Sequence, residues 1–229
     1  SLPDKIDFDN YAQAFEKMNF LNAIGNSAII TSISVVLILL TSSMAAYFLV
    51  RHKWRINKII FAVLVASMIV PFQAIMIPLV SIYGKLDLMN SKWVLIFMYL
   101  GFGQAFAIFI FHGFIKNIPL EMEEAALIDG CNKMQSFFRI VFPLLRPVIT
   151  TVLILDVLWI WNDYLLPSLV LLSPQERTLP LSTYNFFSSY SVDFAPLMAG
   201  LVLTILPVLI VYLFCQKQII RGVVQGAIK

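Results

Sequence analysis

The sequence predicts an all-α membrane protein, a polytopic helical bundle, on three observations. Of its 229 residues 60% are apolar or aromatic and only 13% charged, whereas a soluble domain carries about a quarter charged residues to cover its surface. Four stretches free of Asp, Glu, Lys and Arg, at 26–50, 59–84, 93–115 and 194–216, each exceed the roughly 20 residues that a helix needs to cross about 30 Å of hydrocarbon. A fifth, 147–172, is equally apolar but carries Asp156 and Asp163. The period-two alternation of a membrane barrel is absent and a bilayer otherwise admits only helices, so five spanning helices are expected within a single transmembrane domain over 1–229.

The first span holds a run of small residues, Ser42, Ser43, Ala45 and Ala46, and the third holds Gly101 and Gly103; both allow helices to approach closely. Pro71 and Pro78 in the second span and Pro207 in the last remove backbone donors and predict kinks. Orientation follows from the loops. Segments 51–58, 116–146 and 217–229 carry 11 of the 16 Lys and Arg residues, which places them on the cytoplasmic side and residues 1–25 outside. The chain opens on Ser1 in a polar stretch, so a further helix running outward is expected upstream, six in all.

The net charge of +3 gives no case for nucleic acid. Cys131 and Cys215 are too few for a disulfide framework, and His52 and His112 have no acidic or thiol neighbours at ligand spacing, so no metal site is expected.

Residues 117–147 carry the strongest local signal. Asn117 reads as an N-cap, Pro119 as a first-turn proline, and Glu121, Glu123 and Glu124 as the acidic start of a short helix that Gly130 ends in a left-handed conformation. A second amphipathic piece over 136–141 precedes Pro143 and Pro147, giving a compact knob whose small residues let another surface come close.

In the fifth span Asp156, Trp159 and Asp163, with Asn162 beside them, fall along one helix face. An indole face stacks on sugar C–H surfaces and carboxylates accept sugar hydroxyls, which suits a carbohydrate path. The same residues also suit an interfacial aromatic belt with polar groups that pair with a neighbouring subunit.

Glu124-Ala125-Ala126, Gly130 four residues on, then Ile140 and Pro143, resemble the EAA loop of ATP-binding-cassette importer permeases, and the string EEAALIDG with RIVFPLLRP resembles their carbohydrate branch. Cys131 and Phe142 stand where such permeases usually have Ala and Leu. FDNY at 8–11, AAYFLVR at 45–51, MIVPFQAIMIPL at 68–79, WNDYLLP at 161–167, TLPL at 178–181 and RGVVQGAIK at 221–229 extend the likeness to the second permease subunit of maltose-type importers. The resemblance implies a type I importer permease fold and ATPase coupling through Glu124, Ala125, Ala126, Asp129, Gly130, Ile140 and Pro143. It also implies a multi-pass protein of the cytoplasmic (inner) membrane that works with a homologous permease subunit as a heterodimer, two ATPase subunits and an extracytoplasmic sugar-binding protein. The outer loop 173–193 would touch that binding protein and the tail through Gly226 and Lys229 would approach the ATPases.

No G-x-x-x-x-G-K-[ST] loop occurs and no nucleophile–base arrangement is evident, so the chain is read as a transport component and not an enzyme. No cofactor is expected in it; ATP and Mg would be bound by the partner ATPase. The alternative from another class is an ion-coupled secondary transporter that uses Asp156 and Asp163 as its titratable relay.

Overall fold

The computed structural model describes residues 8–187 and 194–227, with side chains through Leu213. Expectations that rest on Ser1, on 188–193, on the Cys215 side chain and on Lys229 lie outside the described residues.

Helix α1 (Asp9–Lys17) leads through Asn19, in a left-handed conformation at φ 47°, into the long α2 (Phe20–Arg51). Next come α3 (Arg55–Ser67), α4 (Phe72–Lys85) and α5 (Lys92–Ile115), and then the short helices α6 (Glu121–Ile128), α7 (Lys133–Ser136) and α8 (Phe142–Leu144). Helix α9 (Arg146–Asn162) is followed by α10 (Leu165–Val170), α11 (Leu179–Ser182) and α12 (Phe194–Ala227).

Among the described residues three helices, α2, α5 and α12, are each long and apolar enough to span a membrane alone, and the number rises to five if each of two bent pairs counts as one span. The apolar stretch 59–84 is thus not one helix. It breaks between Ser67 and Phe72, where α3 and α4 diverge by 99°. Pro71 explains the position, since it has no N–H to return to the preceding turn and biases Val70 away from the helical region. Pro78 and Pro207 stay inside continuous helices. The second bent pair joins the 133–144 segment to α9 at 76°.

The chain groups into two compact units. One comprises Ser1–Ser32, Pro78–Ile96 and Leu158–Cys215. Its core gathers Met18, Ala23, Leu179, Phe186 and Leu197, and Gly200 is required there because a Cβ would come within 2.8 Å of the Phe186 ring and 2.9 Å of Met18 Sδ. Loop carbonyls are held by amides of α2: Asn22 donates to Gln175 O at 2.6 Å, and Asn26 to Gln175 O at 2.8 Å and Arg177 O at 3.1 Å. Lys92 donates to Asn26 Oδ1 at 3.0 Å and pairs with Glu176 at 3.3 Å. Asn90, left-handed at φ 59°, accepts from Leu172 N and Ser173 N and donates to Ser173 Oγ, stapling the 86–91 turn to the chain after α10.

The other unit comprises Ile33–Ile77, Phe97–Val157 and Gln216–Lys229. Here α2 and α5 lie in contact: a Cβ on Gly103 would meet Ile38 Cδ1 at 2.6 Å, Ser42 Oγ donates to Gln104 Oε1 at 2.9 Å, and Ser42, Ser43 and Ala46 are buried. Gly101, by contrast, has open space around it. Phe72 packs edge-on to Phe102 at 5.5 Å and Phe61 stacks on His112 at 3.9 Å, which seats α3 and α4 on α5.

Candidate functional site

The knob over 117–147 forms, with a later start than its sequence suggests. Asn117 is not the N-cap; its side chain donates to Gly113 O at 3.1 Å and so closes α5. Pro119 disfavours the helical conformation at Ile118, which delays the next helix to Glu121. Leu120 then occupies the cap position, and its carbonyl takes the N–H groups of Glu123 and Glu124 at 2.9 and 3.0 Å. Three acidic residues in the first turn favour the positive end of the helix.

At the other end Cys131 N donates to Ala126 O at 2.9 Å and Gly130 N to Leu127 O at 3.1 Å. With Gly130 at φ +86° this is a Schellman motif, so the glycine is needed for its backbone angle and not for space, none of which is contested within 4 Å. Asn132 and Gln135 form a reciprocal capping box that starts α7. The amphipathic piece is not regular: Phe137–Val141 is a π-helical turn, one residue wider than an α-turn, and it ends just before Pro143, which has no N–H to continue the ladder.

Of the three glutamates only Glu123 is buried, at 4% exposure. Arg51, the last residue of α2, holds it by Nε at 2.7 Å and by NH2 at 2.6 Å, and Tyr47 Oη donates to Glu123 Oε2 at 2.7 Å. Arg51 also reaches Ile118 O at 3.0 Å, while the Tyr47 ring lies 5.0 Å from that of Phe137. Tyr47 and Arg51 are four apart and share one face of α2, so a single helix end grips the turn entering α6, α6 itself and the π-helical turn. The sequence reading missed this clamp. Its signal was present: an arginine that follows more than thirty uncharged residues, one turn after a tyrosine, needs an acidic partner.

The clamp sets which residues of the expected coupling set face outward. Ala126 is buried beside Glu123, and Ile140 and Pro143 are half-buried. Glu124, Ala125, Asp129 and Gly130 are exposed, together with Leu127 and with Ile128 at 86%. The eight-residue helix thus turns two apolar side chains, Leu127 and Ile128, outward beside Glu124 and Asp129.

The residues of the expected substrate stripe do not share one helix. Asp156 is buried at 3% exposure, and its Oδ2 has no hydrogen-bond partner among the described residues. Trp159, one turn on, is exposed. Asn162 bonds back to Leu158 O at 2.7 Å and ends α9, and Asp163 lies beyond that end, its Oδ1 accepting Leu165 N at 3.0 Å to start α10. Short polar side chains that bond their own backbone compete with helix continuation, and Pro167 fits only in the first turn of a new helix.

The model of the family described as binding-protein-dependent transport system inner membrane component matches residues 37–225, a range that includes the whole knob and its clamp. The chain belongs to that family. Members are membrane permease components and not enzymes, and their transport depends on a substrate-binding protein and an ATPase. Among similar proteins, the probable starch degradation products transport system permease AmyC of Thermoanaerobacterium thermosulfurigenes is 44% identical over 229 residues, covering 100% of this chain and 83% of its own. The multiple sugar-binding transport system permease MsmG of Streptococcus mutans is 38% identical, with 100% and 83% covered. MelC of Bacillus subtilis, a melibiose/raffinose/stachyose import permease, is 34% identical, with 99% and 83% covered. The permease fold is matched by the crystal structure of a bacterial ABC transporter involved in the import of the acidic polysaccharide alginate, at TM-score 0.79 and 25% identity over 94% of this chain and 81% of that one.

Proposed function

We propose that this permease moves sugars inward across the cytoplasmic membrane, and that α6 docks on an ATPase and hands its motion to α2 through Glu123. The observation that carries the reading is the clamp: a docking helix can move a spanning helix only if the two are rigidly joined, and here a buried ion pair and a second hydrogen bond join them. ATP, with Mg, is bound by two ATPase subunits, whose closure favours the outward-facing state over the inward-facing one by a difference in binding. A homologous permease completes the path as a heterodimer. Names of the similar permeases support the sugar.

The balance of Lys and Arg supports the orientation. The Lys/Arg-rich segments, 51–58, 116–146 and 217–229, face the cytoplasm, and the poorer segments, 1–25, 85–92 and 173–193, lie outside. The sugar-binding protein would then meet the 173–193 side. An ion-coupled relay is disfavoured, since Asp163 lies beyond the end of α9, where its Oδ1 accepts Leu165 N, and does not stand on a helix with Asp156.

The test is ATPase activity of the full transporter in liposomes, with its partner permease, ATPase and binding protein, across a panel of sugars. Stimulation by a sugar only in the presence of the binding protein is expected. A flat response from an assembled, nucleotide-binding complex would reject the reading.

A further inference from the structure

At the knob end of α2 lies an open cavity of about 750 Å³, lined by the 49–61 and 112–121 segments and within the roughly 300–1,000 Å³ of small-ligand sites. Its charge is uneven. Lys53, Lys58 and Lys116 line it, are exposed, and form no ion pair among the described residues, while Arg51 is already taken by Glu123 and Glu121 is the acidic group on the rim. Helix α3, of 13 residues, begins at the cavity, and its cap residue Trp54 makes no side-chain hydrogen bond, so first-turn N–H groups are left for an outside acceptor. The turn before it is preformed, since the buried Asn57 donates to His52 O at 2.6 Å. These features select an anion.

The walls select its other half. Trp54 is exposed and lies within 5.7 Å of the Phe48 ring, Phe61 lines the cavity, and from there Ile59, Ile60 and Val63 continue along α3 as an exposed apolar strip. A small free anion would have no use for that strip. An anionic head joined to hydrocarbon chains matches both parts, with an aromatic residue at the level where the two meet.

We infer that this cavity binds the phosphate headgroup of an anionic glycerophospholipid of the cytoplasmic leaflet, with the acyl chains along α3. The leaflet rests on the orientation proposed above. Because Leu120 and Glu121 also line the cavity, a bound lipid touches the entry to α6.

The test is native mass spectrometry of the assembled, detergent-purified transporter, delipidated and then titrated with phosphatidylglycerol or phosphatidylcholine. At about 5-fold per lysine, the K53Q/K58Q/K116Q variant should bind phosphatidylglycerol on the order of 100-fold more weakly, with Lys85→Gln, outside the cavity, as the unchanged control. Quenching of Trp54 by brominated phosphatidylglycerol, lost in Trp54→Phe, gives a second readout in unaltered lysines. Equal binding of the two lipids, unchanged affinity in the triple variant, or displacement by millimolar inorganic phosphate would overturn the proposal. Neither readout needs nucleotide or sugar, so a transporter that binds the lipid at this site but fails to couple would reject the proposed function alone.

Discussion

Glu123 and Asp156 are two carboxylates of the same unit, exposed by 4% and 3%, yet they sit in opposite circumstances. Glu123 receives an arginine and a tyrosine from α2, whereas Asp156 Oδ2 receives nothing from the described chain. Burial alone therefore says little about a membrane carboxylate. A carboxylate satisfied within the chain is a joint, and one left bare is a place where a substrate group, a partner subunit or a proton completes the structure.

The sharpest way to break this comparison is Arg51→Ala. Removing one member of a buried pair strands the other charge and costs about 3–5 kcal/mol, so thermal unfolding of the purified transporter should shift down strongly and coupled uptake should fail. Tyr47→Phe removes a single hydrogen bond to a charged group, about 1.5–3 kcal/mol, and should give a smaller shift by the same measurement. An equal loss in both would mean that the pair does not act as the joint. Gly130→Val forces a β-branched residue to φ +86°, about 1–2 kcal/mol or more, and disturbs the end of α6 without touching the clamp. It should leave the subunit assembled in the membrane while ATP hydrolysis no longer drives uptake, and normal sugar accumulation would contradict the docking role. The smallest change in stability is expected for Asp156→Asn. Unfolding should stay level or move up, because an unpartnered carboxyl becomes a neutral amide, while uptake falls without a change in which sugar is taken. A collapse like that of Arg51→Ala would show that Asp156 has a partner after all and would erase the contrast.

Much of this was legible in the residues. The helical class, the apolar stretches, the break at Pro71 and the left-handed Gly130 all follow from local chemistry, since hydrocarbon thickness, a missing N–H and a missing Cβ act without distant partners. Asn132 with Gln135 three residues later was an available capping box that escaped notice because the second piece of the knob was started at Ser136. The clamp was less accessible. Glu121, Glu123 and Glu124 look alike in sequence, and only the packing of α6 against the end of α2 separates the buried one from the two exposed ones. Asp163 misled for a related reason: its seven-residue spacing from Asp156 assumes a continuous helix, and the side chains of Asn162 and Asp163 themselves end it.

The bend at Pro71 also bears on how the protein enters the bilayer. Helices α3 and α4 have 13 and 14 residues, so each reaches only about 20 Å at 1.5 Å per residue, short of the hydrocarbon thickness. Neither half is a competent insertion signal by itself. Only the undivided apolar stretch 59–84 has the length for a crossing, and at the break Phe72 packs edge-on to Phe102 of α5.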